Sequence, residues 1–195
     1  MNINQFYEKR TFFDKIKSLD YILITIVLLL GIISCFVMYS TDGGEMKFHT
    51  YSQILKFSIF FALFILFSFI RIGFWHALSY LFYAVVLLML IYVLWFGISV
   101  QGSQRWIDLY FLNLQPSELM KIAIIACFAK FYHRVQTEEI HSLKNIIQPM
   151  ALLVIPIFLI IAQPDLGTAI LVAGSGLAVV WLAGVNIRYF VYSVM

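Results

Sequence analysis

The chain has 195 residues, of which 63% are hydrophobic and only 12% are charged, and its formal net charge is +3. A soluble domain of this size leaves much of its surface in water and cannot bury so large an apolar fraction. The composition therefore excludes a soluble enzyme, a nucleic-acid-binding module and a disordered chain, and the long continuous apolar runs predict an all-α, polytopic membrane protein.

The chain opens with a polar, basic segment at residues 1–20, which we predict to be cytoplasmic. Six apolar segments follow, and each is predicted to span the membrane as a helix: 21–39, 54–70, 77–98, 116–132, 146–162 and 166–185. About 20 residues at 1.5 Å per residue cross the hydrocarbon layer, so the fifth segment is the weakest candidate. The first segment is longer than a secretory h-region, which indicates a retained span.

The distribution of Lys and Arg orients these six spans. With a cytoplasmic N-terminus, most of the cations fall in the inner segments and few in the outer ones. The positive-inside rule then places the loop 99–115 and the turn 163–165 on the outer side and the loop 133–145 in the cytoplasm. In the sixth span, Ala169, Ala173 and Leu177 form one stripe, with Gly174 and Ala178 beside it, and this pattern predicts close helix packing.

Polar groups are concentrated on the outer side at the start of the fourth span, and they are Arg105, Trp106, Gln115, Ser117, Glu118 and Lys121. A charged group costs about 2.5–3.5 kcal/mol at the centre of a span and less near its end. One interpretation is a helix that begins at Pro116 with a local Glu118–Lys121 pair, beside an interfacial Arg-Trp anchor. The other is an aqueous rim that binds an anionic headgroup such as pyrophosphate.

The second polar stretch is the turn before the sixth span. Pro164 cannot continue the fifth helix, and Asp165 is a good N-cap for the sixth, with Thr168 at the N3 position. A tight outer turn explains this stretch fully. The functional alternative is that Asp165 faces the same outer cavity as Glu118.

Three motifs in these two regions carry a resemblance to a known family. They are Gly102-Ser103-Gln104-Arg105-Trp106-Ile107-Asp108-Leu109, Gln115-Pro116-Ser117-Glu118 with Lys121, and Gln163-Pro164-Asp165-Leu166-Gly167-Thr168. They resemble the SEDS family of bacterial cell-wall polymerases, which comprises the RodA, FtsW and SpoVE proteins, and the similarity runs essentially end to end. Gln104 and the Asp108-Leu109 pair are more similar to the RodA branch than to the FtsW branch.

The resemblance implies a SEDS transmembrane domain over residues 21–195, which would hold six of the family's about ten helices and the start of a seventh. The family's essential aspartate lies in the outer loop between helices seven and eight. We therefore expect no catalytic residue here and no activity from this chain alone. The implied substrate and cavity residues are Arg105, Trp106, Gln115, Ser117, Glu118, Lys121 and Asp165.

The implied function is polymerisation of lipid II at the outer face of the bacterial cytoplasmic (inner) membrane. The implied partners are a class B penicillin-binding protein and other elongation-complex membrane proteins, with no nucleic acid. A divalent cation, Mg²⁺ or Mn²⁺, is the expected cofactor, with no organic cofactor. Two alternatives stay open: a lipid II flippase or transporter, and a non-catalytic membrane scaffold for the penicillin-binding protein.

Overall fold

The computed structural model describes residues 16–100, 103–109 and 113–185 of the chain. Most of the predicted cytoplasmic N-terminus and the predicted start of a seventh helix lie outside these residues. Within the described ranges, the long helices are α1 (Tyr21–Thr41), α2 (Phe48–Ser68), α3 (Ile72–Phe96), α4 (Pro116–His133), α5 (Leu143–Ala162) and α6 (Leu166–Leu182). Each of the six predicted apolar segments therefore lies mainly within a helix.

The helices are longer or shorter than the apolar segments at several ends. The second begins at Phe48 instead of 54, the third at Ile72 instead of 77, and the fifth at Leu143 instead of 146. The sixth ends at Leu182 instead of 185. Hydropathy identifies the part of a helix suited to lipid, whereas the backbone hydrogen-bond ladder continues through polar residues at the membrane surface.

Four of these helices, α1, α2, α3 and α5, are long and apolar enough to cross a membrane. The apolar helix α6 is shorter, at 17 residues. The helix α4 has 18 residues but includes Glu118, Lys121 and Lys130, which make it more polar than the others. Length and composition thus support a multi-spanning protein and distinguish α4 as the helix whose charges need an explanation.

A small antiparallel sheet, which the sequence did not predict, lies between α3 and α4. Its strands are β1 (Ile98–Val100), β2 (Ser103–Asp108) and β3 (Asn113–Leu114), in the order β1-β2-β3. Ile98 pairs with Trp106, and Ile107 pairs with Leu114. A 3₁₀ turn at Thr137–Glu139 connects α4 to α5. The sheet fixes the direction of the side chains that alternate along β2.

The described chain forms two compact units, and the first, Met1–Arg71, contains the hairpin of α1 and α2. The Asp42 carboxylate closes the turn between them. Its Oδ2 accepts hydrogen bonds from the Thr50 backbone N–H at 2.8 Å and from the Thr50 hydroxyl at 2.6 Å. Its Oδ1 lies 2.9 Å from Nδ1 of His49. Farther along the hairpin, Gln53 donates to the hydroxyl of Ser34.

The second unit, Ile72–Met195, contains α3 to α6 and the sheet. The helix α4 packs against both α3 and α6, and α6 also packs against α5. The centre of this bundle is apolar and fully buried, and it includes Leu90, Met120, Ile124, Phe128 and Ile160. The side chain of Tyr83 crosses from α3 and donates to the carbonyl of Leu152 at 2.8 Å.

The predicted packing stripe of the sixth span was largely wrong. The buried face of α6 contains Ala169, Val172, Gly176 and Val180, whereas Gly174, Leu177 and Ala178 are exposed. Gly176 lies close to α5, because a Cβ at this position would lie 2.6 Å from the Leu153 side chain, which would have to shift. Small residues lie around much of the circumference of α6, so composition alone could not identify the face that packs.

Candidate functional site

The side chain of Asp165 is the centre of a polar cluster at the start of α6. Its Oδ1 accepts from the Thr168 backbone N–H at 3.2 Å, and its Oδ2 accepts from the Thr168 hydroxyl at 2.8 Å. This geometry confirms the predicted N-cap, which satisfies a backbone donor that the first turn of a helix leaves free. The Asp165 side chain is only 8% exposed, so these contacts are largely shielded from water.

Two side chains from distant parts of the chain reach the same carboxylate oxygen. Gln115 donates through Nε2 to Asp165 Oδ2 at 2.9 Å and to the Ser117 hydroxyl at 3.0 Å. Nη1 of Arg105 lies 3.3 Å from Asp165 Oδ2, which makes a partly buried ion pair. We call Arg105, Gln115, Ser117, Asp165 and Thr168 the Asp165 cluster.

Local structure explains why Arg105 and Gln115 can reach Asp165. Successive side chains along β2 point to opposite faces of the sheet, so Arg105 and Gln104 point in different directions. The Gln104 amide donates to the carbonyl of Gly97 at the end of α3. Pro116 occupies the first position of α4, where the missing N–H removes no hydrogen bond. Gln115, at the N-cap, makes no side-chain capping bond, so its amide remains available to Asp165.

Gln163 is a member of this region that the sequence did not identify as a site residue. Its side chain is fully buried, and Nε2 donates to the carbonyl of Leu90 in α3 at 3.0 Å. Among the described residues, neither Oε1 of Gln163 nor Nε of Arg105 has a hydrogen-bond partner. Buried polar atoms are nearly always paired. The sequence signals for Gln163 are its place in the third family motif and a polar amide before Pro164 at the end of an apolar helix.

The surroundings of Asp165 keep it ionised. Burial disfavours the charged carboxylate, whereas the two hydrogen bonds from Thr168 favour it. The hydrogen bond and positive charge of Arg105 act in the same direction. Together they hold the pKa of Asp165 below its ordinary value. Arg105 is therefore held in place by a permanent negative charge at neutral pH.

The predicted Glu118–Lys121 pair is confirmed, with Nζ of Lys121 2.8 Å from Oε2 of Glu118. The Lys121 side chain is 25% exposed and that of Glu118 is 53% exposed, so this pair is more accessible than the Asp165 cluster. In the described part of the chain, neither residue forms an ion pair with Arg105 or Asp165. Trp106, the remaining predicted site residue, is partly buried in β2 opposite Ile98.

The expected metal site is not provided by these side chains. Across residues 16–100, 103–109 and 113–185, no three His, Cys, Asp or Glu side chains lie close enough to hold a metal ion together. Two carboxylates at this end of the bundle each face a cation, Asp165 facing Arg105 and Glu118 facing Lys121. The residues present do not fit a resident metal site, and the divalent cation stays a prediction.

The described chain also contains a groove of about 460 Å³ in the first unit. It is lined mainly by apolar side chains of α1 and α2, among them Ile32, Phe36, Ile54 and Phe57. None of the predicted site residues lines it. The predicted substrate residues lie in the second unit, so this groove is a separate feature.

The comparisons with known proteins agree with the motifs. A family model of FtsW, RodA and SpoVE, described as a cell cycle protein, matches residues 18–195. Peptidoglycan glycosyltransferase MrdB of Escherichia coli K12 is 34% identical over 180 residues, which is 92% of this chain and 48% of MrdB. A probable peptidoglycan glycosyltransferase FtsW of Buchnera aphidicola (subspecies Baizongia pistaciae) is 29% identical over 77% of this chain and 40% of that protein.

A crystal structure of a variant of the rod shape determining protein RodA from Thermus thermophilus has the same fold. Its TM-score is 0.76 at 25% identity, and the match covers 90% of this chain and 57% of that chain. The chain thus spans about half the length of the curated relatives it matches. These matches confirm the predicted fold class of a polytopic helical membrane protein. The chain belongs to the FtsW/RodA/SpoVE family, the SEDS proteins.

Proposed function

We propose that the chain takes part in RodA-like peptidoglycan glycosyltransfer. The reaction would polymerise lipid II into glycan strands for cell elongation and rod shape, with release of undecaprenyl pyrophosphate. Membership of the family and relatives named as peptidoglycan glycosyltransferases support this proposal. The chain would contribute cations that bind the pyrophosphate, at the outer face of the bacterial cytoplasmic membrane.

The observation that carries the proposal is the way Arg105 is held. A guanidinium group has five N–H donors, and Asp165 contacts it only at Nη1. The Arg105 side chain is still 28% exposed, so part of the group can reach a ligand. A planar donor group fixed by a buried carboxylate suits bidentate recognition of phosphate oxygens. Lys121 supplies a second, partly exposed cation near the start of α4.

The other residues would act by orienting these two cations. Gln115 and Thr168 donate to Asp165, which in turn holds Arg105. Glu118 holds the ammonium group of Lys121. Negative charge grows on the pyrophosphate as its bond to the sugar breaks, so cations fixed in advance would stabilise the transition state more than the ground state.

Ligand binding by the 195-residue chain in lipid nanodiscs tests the proposed role directly. Undecaprenyl pyrophosphate is the probe, and undecaprenol, which lacks the charged group, is the control ligand. We expect Arg105→Gln and Lys121→Gln each to weaken binding of the pyrophosphate about tenfold or more, since a hydrogen bond to a charged group contributes about 1.5–3 kcal/mol. Lys144→Gln, which removes an exposed cation near the start of α5, is the matched control.

Unchanged affinity in both variants would contradict the proposed role of this site. Polymerisation needs a separate measurement, in which lipid II is added to the same nanodiscs and glycan strands are resolved on a gel. We expect no strands from this chain alone, so strands from the wild type would contradict that expectation. If the Arg105→Gln variant then yields as many strands as the wild type, the cation is not required for the reaction.

We propose that the partner is a class B penicillin-binding protein, together with other membrane proteins of the elongation complex. Membership of the family supports this proposal. Co-purification of the tagged 195-residue chain with its candidate transpeptidase, extracted in mild detergent, tests it. Recovery of the transpeptidase no greater than with an unrelated membrane protein of similar size would contradict it.

We also propose that the N-terminus is cytoplasmic, which places the sheet on the outer side. The bias of Lys and Arg along the sequence supports this orientation. Asn113 in β3 and Ser142 before α5 are both exposed and lie on opposite predicted sides. A membrane-impermeant maleimide added to intact cells should label Asn113→Cys and leave Ser142→Cys unlabelled. The reverse pattern would overturn the orientation.

A further inference from the structure

A second group of cations lies at the other end of α4, where its last turn meets the first turns of α3. Lys130 is only 7% exposed, and its Nζ donates to the carbonyl of Ala77 at 2.7 Å. The same ammonium group lies 4.6 Å from the centre of the Tyr80 ring. The guanidinium carbon of Arg134 lies 5.9 Å from that ring centre. One tyrosine ring is thus shared by two cations.

Two histidines extend this group. The rings of His76 on α3 and His133 on α4 meet edge to face, with their centres 5.3 Å apart. Nε2 of His76 is buried and has no hydrogen-bond partner in the described part of the chain. We call His76, Lys130, His133 and Arg134 the α3–α4 basic cluster.

The α3–α4 basic cluster has no ion-pair partner among the described residues. The acidic residues that follow closely, Glu138 and Glu139, are exposed on the 3₁₀ turn. The C-terminal dipole of α4 favours cations. However, Lys130 and Arg134 are four residues apart and repel each other, and the buried ammonium group of Lys130 is costly without an anion.

We propose that the α3–α4 basic cluster binds the phosphate of an anionic lipid headgroup. The cluster lies where the start of α3 meets the end of α4, with Trp75 and Tyr132 in the same turns, and aromatic residues near helix ends are typical of the membrane surface. Basic pockets between membrane-spanning helices are suited to acidic headgroups. His133 and Arg134 are exposed, so a phosphate can reach them.

The Lys130 ammonium group has three N–H donors, of which Ala77 accepts one, so donors remain for a phosphate oxygen. Positive residues at a membrane surface also attract acidic lipids without any defined site. A defined site differs in one respect: cations inside the cluster should matter more than an equally exposed cation outside it. This site is separate from the Asp165 cluster and does not depend on the proposed polymerase function.

Native mass spectrometry of the 195-residue chain, with phosphatidylglycerol or phosphatidylcholine added in known amounts, measures the binding. We expect the wild type to retain phosphatidylglycerol preferentially. Arg134→Gln should weaken its binding about fivefold, and the double variant His133→Gln with Arg134→Gln should weaken it further, while phosphatidylcholine binding stays unchanged. Both substitutions are at exposed positions, so the fold is retained, which circular dichroism verifies.

The matched control is Lys144→Gln, which removes an exposed cation outside the cluster. Equal losses in Arg134→Gln and Lys144→Gln would show general charge attraction and overturn the proposal. Equal retention of both lipids by the wild type would also overturn it. A third arm adds inorganic phosphate to the chain with phosphatidylglycerol already bound. Displacement of phosphatidylglycerol by phosphate at equal concentration would assign the site to a soluble anion instead of a lipid.

Discussion

Replacing Asp165 by Asn separates the charge of this residue from its role as a helix cap. Oδ1 of the asparagine can still accept from the Thr168 N–H, because Asn caps helices as well as Asp does. The other oxygen becomes an NH₂ group. It then faces Nε2 of Gln115 and Nη1 of Arg105, which are both donors. The variant therefore loses the ion pair while the cap is kept.

The size of the effect follows from these contacts. Each hydrogen bond to a charged group contributes about 1.5–3 kcal/mol, and Asp165 Oδ2 receives such bonds from Gln115 and Thr168 in addition to Arg105. The Thr168 hydroxyl and the Gln115 amide can reorient and recover part of this energy. Arg105 is partly exposed, so solvent also screens its lost partner. We expect Asp165→Asn to lower the free energy of unfolding by about 3 kcal/mol.

Unfolding in mixed detergent micelles, followed by tryptophan fluorescence, measures this change. Asp165→Ala, which also removes the cap, should cost about 1 kcal/mol more than Asp165→Asn. Glu118→Gln disrupts the exposed pair with Lys121 and should cost no more than about 1 kcal/mol. If Asp165→Asn is as stable as the wild type, or no less stable than Glu118→Gln, the ion pair with Arg105 does not stabilise the fold.

The remaining predictions concern the pH dependence of stability, the packing of α6 against α5, and the turn between α1 and α2. The pKa of Asp165 is lowered in the folded protein, so its stabilisation is complete above the unfolded value of about 3.9 and is lost as the pH falls through the folded value. Between pH 7 and pH 3 the wild type should lose more free energy of unfolding than Asp165→Asn does. Parallel curves for the two proteins would contradict this prediction. Gly174→Ala, which has open space, should raise the free energy of unfolding by about 1 kcal/mol, because Ala favours the helix over Gly. In Gly176→Ala the displaced Leu153 side chain should cancel that gain, and equal gains in both variants would refute this packing. Asp42→Asn should speed amide hydrogen exchange over residues 42–50, and Glu45→Gln, whose pair with Lys47 is exposed, should leave exchange unchanged.

The helices were largely predictable, because a run of about 20 apolar residues has few structural options other than a span. Their ends were not, since α2 starts at Phe48 and continues through His49, Thr50 and Gln53 before its apolar run. The sheet was missed for a different reason. Its shortest strand, β3, has only 2 residues, and its pairing depends on which loop segments meet in space.

The candidate site was likewise predictable only in part. The Asp165 cap and the Glu118–Lys121 pair join residues three positions apart, so helix geometry alone predicted them. The bond from Gln115 to Asp165 joins residues 50 positions apart, and no local rule could predict it. The family resemblance grouped these residues as one cavity without indicating which of them are bonded. The burial of Gln163 depends on α3 and was equally inaccessible to sequence reasoning.

The long separation between Gln115 and Asp165 has a consequence for how the protein is made. The turn at Asp42 closes over 8 residues, so the first hairpin can be complete soon after it leaves the ribosome. Arg105 and Gln115, by contrast, emerge long before their carboxylate partner exists, because synthesis must add 50 more residues after Gln115. During that interval the guanidinium group of Arg105 has no carboxylate partner and must be solvated by water or by the insertion machinery. The contacts between α4 and the start of α6 can form only after α6 has begun to be synthesised.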